Sequence, residues 1–233
     1  MRAGCAILAA VLLVQAAGAA DDFRPADVPR WTKSLDDKQV DRRWYAAYAL
    51  GQIGAEASPA SPRLAATLVD LEEHEYVRAT AAWALGRIGQ ADEAVLAALS
   101  ESLGSTLPTV RRHAAGALGR IGPKAREASD KLEAALDDAD GRVRVAAAWA
   151  LWRIAREPAA VRALGEQLRA GSGRGAQEAV EPLAAIARID DDAMAALISA
   201  LGSPRGDIRR AAARTIGTTG PAALEPLRAV LRA

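Results

Sequence analysis

The sequence predicts an all-α chain wound into a right-handed α–α superhelix of about six helical hairpins plus a closing helix, and three observations carry that expectation. The first is recurrence. The stretch VRATAAWALGRIG, Val77 to Gly89, returns as RRWYAAYALGQIG (Arg42 to Gly54), VRRHAAGALGRIG (Val110 to Gly122) and VRVAAAWALWRIA (Val143 to Ala155). Weaker copies occur as EAVEPLAAIARID (Glu178 to Asp190) and IRRAAARTIGTTG (Ile208 to Gly220). The second is the period: the strong apolar position, held by Leu50, Leu85, Leu118, Leu151, Ile186 and Ile216, advances in steps of 35, 33, 33, 35 and 30 residues. The third lies inside one copy. Counting Val77 as offset 0, apolar residues fall at offsets 0, 4, 7, 8 and 11 (Val77, Ala81, Ala84, Leu85, Ile88), which is one stripe of an α-helix.

Taken in order, residues 1–20 stand apart. Arg2 supplies a positive start, Ala6 to Val14 a short apolar run, and Ala17-Gly18-Ala19-Ala20 small residues before Asp21-Asp22, the pattern of a cleaved secretory signal. The run is too short, and the segment around it too rich in Ala and Gly, for a membrane anchor. Cys5, the only cysteine, precedes it and leaves with the signal, so no disulfide or thiol nucleophile is expected. Residues 21–170 then hold four regular repeats. Their first helices are expected at Val28 to Leu35, Arg63 to Leu71, Ala91 to Leu103 and Ala125 to Leu136, each preceding one copy of the thirteen-residue stretch. Acidic turns cap the second helices, and Gly89, Gly122 and Gly220 end them in the left-handed region. Residues 171–233 hold the less regular repeats five and six; the first helix expected for repeat five, Ala159 to Ala170, comes just before them, that of repeat six is Asp192 to Leu201, and Ala222 to Leu231 closes the same solenoid. Gly171-Ser172-Gly173-Arg174-Gly175 reads as a flexible joint, and Pro182 interrupts the second helix of repeat five.

Composition limits the partners. Lys and Arg number 30 against 29 for Asp and Glu, and loss of Arg2 with the signal leaves a formal charge of zero. No global field therefore draws the chain to nucleic acid or anionic membrane. Aromatics make up only 4% of a chain that is 51% hydrophobic, which suits closely spaced, alanine-rich helices.

An acidic turn, then Val-Arg, then Ala-Ala-x-Ala-Leu-Gly-x-Ile-Gly, as in Leu136-Asp137-Asp138-Ala139-Asp140-Gly141-Arg142-Val143-Arg144 leading into Val145 to Ala155, resembles the short bacterial HEAT-like repeat also met in phycobilin lyases. The resemblance covers about Asp27 to Ala233. It implies that the second helices line the inner, concave wall; it says little of activity.

Two sets of side chains stand out. The arginine at offset 1 (Arg43, Arg78, Arg111, Arg144, Arg209) borders the apolar stripe and is expected to meet an acid of a neighbouring turn, Asp36, Glu72 or Asp137, as an inter-repeat ladder. Offset 6 lies about 240° round the helix, nearly opposite the stripe. It carries Tyr48, Trp83, Gly116, Trp149, Ala184 and Arg214, with offset 10 one turn on (Gln52, Arg87, Arg120, Arg153, Arg188, Thr218) and offset 2 one turn back (Trp44, Ala79, Arg112, Val145, Val180, Arg210). None of these eighteen residues is acidic, so the inner wall is expected to be basic and aromatic. Its candidate partner-binding residues are Trp44, Tyr48, Trp83, Arg87, Arg112, Arg120, Trp149, Arg153, Arg188 and Arg214. Trp83 and Trp149, about 20 Å apart at the usual helix spacing, would wall a slot floored by Gly116 between Arg112 and Arg120, unless the tryptophans lean aside to fill gaps between inner helices.

Catalytic patterns are sparse. With only His74 and His113, no multi-histidine metal site is available. His74-Glu75 is a single pair, unlike the several iron-binding His-Glu pairs of the HEAT-like deoxyhypusine hydroxylase, and reads as a solvated turn. HEAT-like DNA glycosylases need an acid in a basic groove, and the positions counted hold none. No phosphate loop or Ser-His-Asp arrangement stands out. The favoured reading is an exported, periplasmic or secreted, non-enzymatic monomer without cofactor or metal, whose groove binds protein or peptide, acidic ones included, and not nucleic acid. The alternatives are a chromophore lyase-like or chaperone-like HEAT protein, lyase activity included, and a structural component of cell-envelope assembly.

Overall fold

The computed structural model of the chain describes residues 23–170 and 173–218. The segment expected to be a signal, with Cys5, as well as Gly220 and the closing helix expected at Ala222 to Leu231, lie outside the described residues.

The described residues fold as helical hairpins stacked in two layers. The first members are α1 (Val28–Ser34), α3 (Ser61–Val69), α5 (Glu93–Ser102), α7 (Ser129–Ala134), α9 (Pro158–Ala170) and α12 (Asp191–Ala200). The second members are α2 (Val40–Ile53), α4 (Glu75–Ile88), α6 (Pro108–Ile121), α8 (Gly141–Ala155), the pair α10 (Gly173–Glu178) and α11 (Val180–Ile186), and α13 (Gly206–Thr218). Each first helix packs on the second of its own hairpin, and α2, α4, α6 and α8 pack on one another in sequence. Between the layers runs one continuous apolar seam. Leu50, Leu85, Leu118 and Leu151 at offset 8, and Leu64, Leu99, Leu132 and Leu164 from the first helices, are fully enclosed. Burying one such leucine is worth about 2–3 kcal/mol.

Polar turns set where each helix begins. Asp140 caps α8 through the Arg142 N–H, and Asp92 and Asp190 cap α5 and α12 through the N–H groups of Val95 and Ala193. His74, exposed in its turn as the sequence suggests, caps α4 by accepting from Tyr76 at Nδ1. Gly89 ends α4 at φ 73°, ψ 13°, the left-handed stop expected of it. Gly54 and Gly122 also have positive φ, but they lead into 3-10 segments, Gly54–Ala60 and Gly122–Ala128, which open the next first helices earlier than the apolar pattern indicates. In repeat four, Arg156 takes the left-handed position in place of glycine.

The alanine-leucine-glycine signature has a packing cause. An added Cβ on Gly51, Gly86 or Gly119 would lie 3.0, 2.6 or 2.9 Å from the Cα of Ala84, Ala117 or Ala150 in the next inner helix. Offset 9 of one copy therefore seats the offset-7 alanine of the next, and the inner helices approach backbone to backbone. That closeness also buries Ala79, Val145 and Val180 at offset 2, which the helical wheel alone places toward the concave solvent. The fourth copy breaks the series: Trp152 replaces the glycine and is itself buried.

Three of the five arginines at offset 1 bridge repeats, and two of them, Arg43 and Arg111, meet acids one residue beyond those expected. Arg43 donates twice to Glu73, at 2.6 and 2.7 Å, and Arg111 twice to Asp138, at 2.6 and 2.8 Å. Glu72 and Asp137 are not the acceptors, and Asp36 instead accepts from Arg63. The shift arises because the same guanidinium also caps its own turn. Arg43 donates to the Asp37 carbonyl, Arg111 to that of Ser105 and Arg209 to that of Ser203, which fixes where its other edge points. Arg144 reaches Gln167 of α9, and buried Arg78 donates to the Leu68 carbonyl.

Of the expected joint, Gly171 and Ser172 lie outside the described residues, and the rest is not a loop. Gly173–Glu178 is helical, and Gly175 rests on Gly141 so closely that an added Cβ would meet its carbonyl oxygen at 2.8 Å. The second helix then breaks at Ala179, and Pro182 falls in the first turn of α11, where its missing N–H costs no helical bond. Among the described residues no helix is long and apolar enough to cross a membrane.

Candidate binding cleft on the inner helices

A cleft of about 480 Å³ opens on the inner layer where α4, α6, α8 and the α10–α11 pair converge. Helix α6 supplies its floor. Pro108 starts that helix, and a spacing of four then aligns Arg112, Gly116 and Arg120 along one face. A Cβ on Gly116 would meet nothing within 4 Å, so the glycine is a bare patch of floor. Trp83 from α4 and Trp149 from α8 stand on either side.

The two tryptophans are not equivalent. Trp83 leans onto Gly51 of α2, where an added Cβ would run into its ring, and Tyr48 stacks on it at 5.5 Å and 9°. Trp44 continues the stack on Tyr48 at 5.7 Å and 13°. Trp83 therefore fills the groove between two inner helices and reaches the cleft as well. Trp149 has no ring partner among the described residues, and the Arg153 guanidinium sits 5.9 Å from its ring centre.

Of the ten candidate residues, the structure brings Trp83, Trp149, Arg112 and Arg120 to the cleft. Trp44 and Tyr48 belong to the stack beside it. Arg87 folds back to donate to the Gly51 carbonyl at 3.2 Å, with its guanidinium 5.7 Å from the Trp83 ring. Exposed Arg188 and Arg214 lie away from the cleft.

The wall is not uniformly basic, which corrects the expectation from the offset count. Glu178 and Glu181 line the cleft from repeat five, and Arg112 meets Glu178 at 3.8 Å, across two repeats. The count missed both acids because they sit at offsets 0 and 3, outside the face considered. A signal was present: Glu178 occupies the position of Val77, Val110, Val143 and Ile208, where otherwise only the first copy, with Arg42, carries a charge. Arg142 and His113 were likewise missed. Arg142 is tied to Asp140 at 2.8 Å, and that bond holds the Asp140 carboxyl down at about 2.

His113 lines the same cleft. Its Nδ1 is 2.7 Å from the Thr109 carbonyl oxygen, which can only accept, so Nδ1 carries the proton and Nε2 keeps its lone pair. Burial lowers its pKa, opposed by the Thr109 bond and aided by Arg112. Among the described residues no group of three or more His, Cys, Asp or Glu is placed to hold a metal ion.

The two-layer stack of hairpins with an inner cleft defines an α-solenoid repeat protein. More closely, the chain belongs to the HEAT repeat family: the family model for HEAT repeats matches residues 28–115 and 96–184, and that for the PBS lyase HEAT-like repeat matches residues 208–233. No curated protein matches the sequence. Among solved structures, an engineered protein is similar over 87% of this chain and 97% of its own, at 24% identity and a TM-score of 0.54. A designed armadillo repeat protein in complex with the peptide (KR)4 is similar over 86% and 99%, at 23% identity and 0.53. The Escherichia coli protein YibA is similar over 81% and 69%, at 19% identity and 0.58. These likenesses are of fold.

Proposed function

We propose that this protein is a non-catalytic scaffold that holds a protein or peptide segment against its inner helices, centred on the cleft floored by Gly116. One observation carries the reading: a helix face in the middle of the array is left without a side chain, between half-buried Trp149 and the guanidinium of Arg120. A cleft that combines apolar walls with a few charged groups is the usual form of a binding site. The designed armadillo repeat protein of similar fold is itself in complex with a peptide, so stacked hairpins of this kind can carry an extended segment. The reading includes export, which rests on the run Ala6 to Val14 and the small residues before Asp21; the N-terminal mass of the protein made in its own host tests it. The binding role is tested by affinity capture with the wild-type chain beside Gly116→Phe and a Trp149→Ala, Arg120→Ala variant, each checked for native helicity by circular dichroism. Partners held by the wild type and lost from both variants support the cleft; the same partners on all three overturn it.

A further inference from the structure

The charges around the cleft are sorted by repeat. Arg112 and Arg120 come from repeat three, Glu178 and Glu181 from repeat five, and repeat four supplies Trp149 between them together with Arg142, whose charge Asp140 matches. Arg112 and Glu178 already face each other across this gap at 3.8 Å. Arg120 and Glu181 have no ion-pair or hydrogen-bond partner among the described residues, and both are exposed. The cleft is thus a dipole with one unmatched charge of each sign.

Resting on the binding role above, we propose that the cleft selects a peptide segment of mixed charge, in which a carboxylate side chain meets Arg120, a lysine or arginine meets Glu181, and an apolar side chain between them lies over Gly116 against Trp149. A uniformly anionic ligand, whether polyphosphate, nucleic acid or acidic peptide, would set negative charge against Glu178 and Glu181 and is disfavoured by like-charge repulsion. A uniformly basic one meets the same penalty at Arg112 and Arg120. The neutral His113 adds a further element: its Nε2 lone pair accepts a hydrogen bond, which suits a backbone N–H of the bound segment.

The probes are capped, glycine-spaced peptides carrying Lys-Phe-Glu, Lys-Phe-Lys or Glu-Phe-Glu, titrated into the full chain by calorimetry at low salt. The mixed-charge peptide is expected to bind the wild type about threefold to fivefold more tightly than either single-sign peptide, the upper range of one exposed ion pair. Glu181→Arg is expected to move the preference to Glu-Phe-Glu, and Arg120→Glu to Lys-Phe-Lys; both residues are exposed, so the fold tolerates the changes. Glu-Phe-Glu binding the wild type most tightly, a preference unmoved by the variants, or no binding of any of the three overturns the proposal. The capture experiment with Gly116→Phe is independent of these peptides, so a failure of charge selection is distinguishable from a failure of the binding role.

Discussion

At the scale of single residues, the recurring arginine shows how one side chain does two jobs. Arg111 caps the carbonyl of its own turn and, by the same planar fork, grips Asp138 of the next repeat with both side chains largely buried. Burial raises the Asp138 pKa, but the Arg111 guanidinium and the Asp140 N–H together outweigh it and hold the carboxyl below its ordinary value. Replacing Arg111 by methionine is expected to cost about 2–3 kcal/mol, because Asp138 is left without its partner. Arg111→Lys recovers only part, since an ammonium cannot bond in a bidentate fork. Arg209→Met, at an exposed arginine, is expected to cost about 1 kcal/mol or less. Urea unfolding of the three variants checks the order; equal losses at Arg111 and Arg209 would show that the carbonyl cap, not the inter-repeat grip, carries the effect.

At the scale of the helix, two glycines three residues apart on α6 have opposite duties. Gly119 lets Ala150 of α8 approach, with an added Cβ only 2.9 Å from its Cα, whereas Gly116 faces open space. Gly119→Ala is therefore expected to destabilise by about 1–3 kcal/mol through overpacking of backbone against backbone. Gly116→Ala is expected to stabilise by about 0.5–1 kcal/mol, the ordinary gain of alanine over glycine inside a helix. Thermal melts of the two variants test the contrast, and a loss of stability at Gly116 would mean that the floor of the cleft is packed rather than open. The pattern changes toward repeat five. Trp152 occupies the position that glycine holds in the earlier copies and is itself buried, and the helix that follows is split into α10, which seats on α8 through Gly175 and Gly141, and α11.

At the scale of the whole molecule, each hairpin is held mainly by its neighbours, so stability is greatest where both neighbours are regular. Amide hydrogen exchange is expected to be slowest in α4, α6 and α8 and faster toward α1 and α13; uniform protection along the array would contradict it. Acid weakens the whole stack in two stages. His113 has a folded pKa below its ordinary 6.5, so the unfolded chain takes up a proton that the folded one resists, and stability falls as pH drops below about 6.5. Asp140, held at about 2 by Arg142 against an ordinary 3.8, stabilises the fold above that ordinary value, and its contribution is lost as pH falls through the interval. Urea midpoints against pH are expected to show both stages in the wild type and only the lower one in His113→Gln.

The sequence by itself determined the repeat, its step and the buried stripe, because a helix that must bury one face writes its period directly into the positions of Leu50, Leu85, Leu118 and Leu151. It also placed Trp83, Gly116, Trp149, Arg112 and Arg120 on one face by counting along the helix. Only the tertiary structure decided what surrounds them. That Trp83 lies over Gly51, that Glu73 and Asp138 rather than Glu72 and Asp137 receive the arginines, and that Glu178 crosses two repeats to meet Arg112 depend on how closely and at what register neighbouring helices seat. The periodicity of one helix carries no information about that register, which is set by contacts between residues far apart in the chain, such as Arg43 and Glu73.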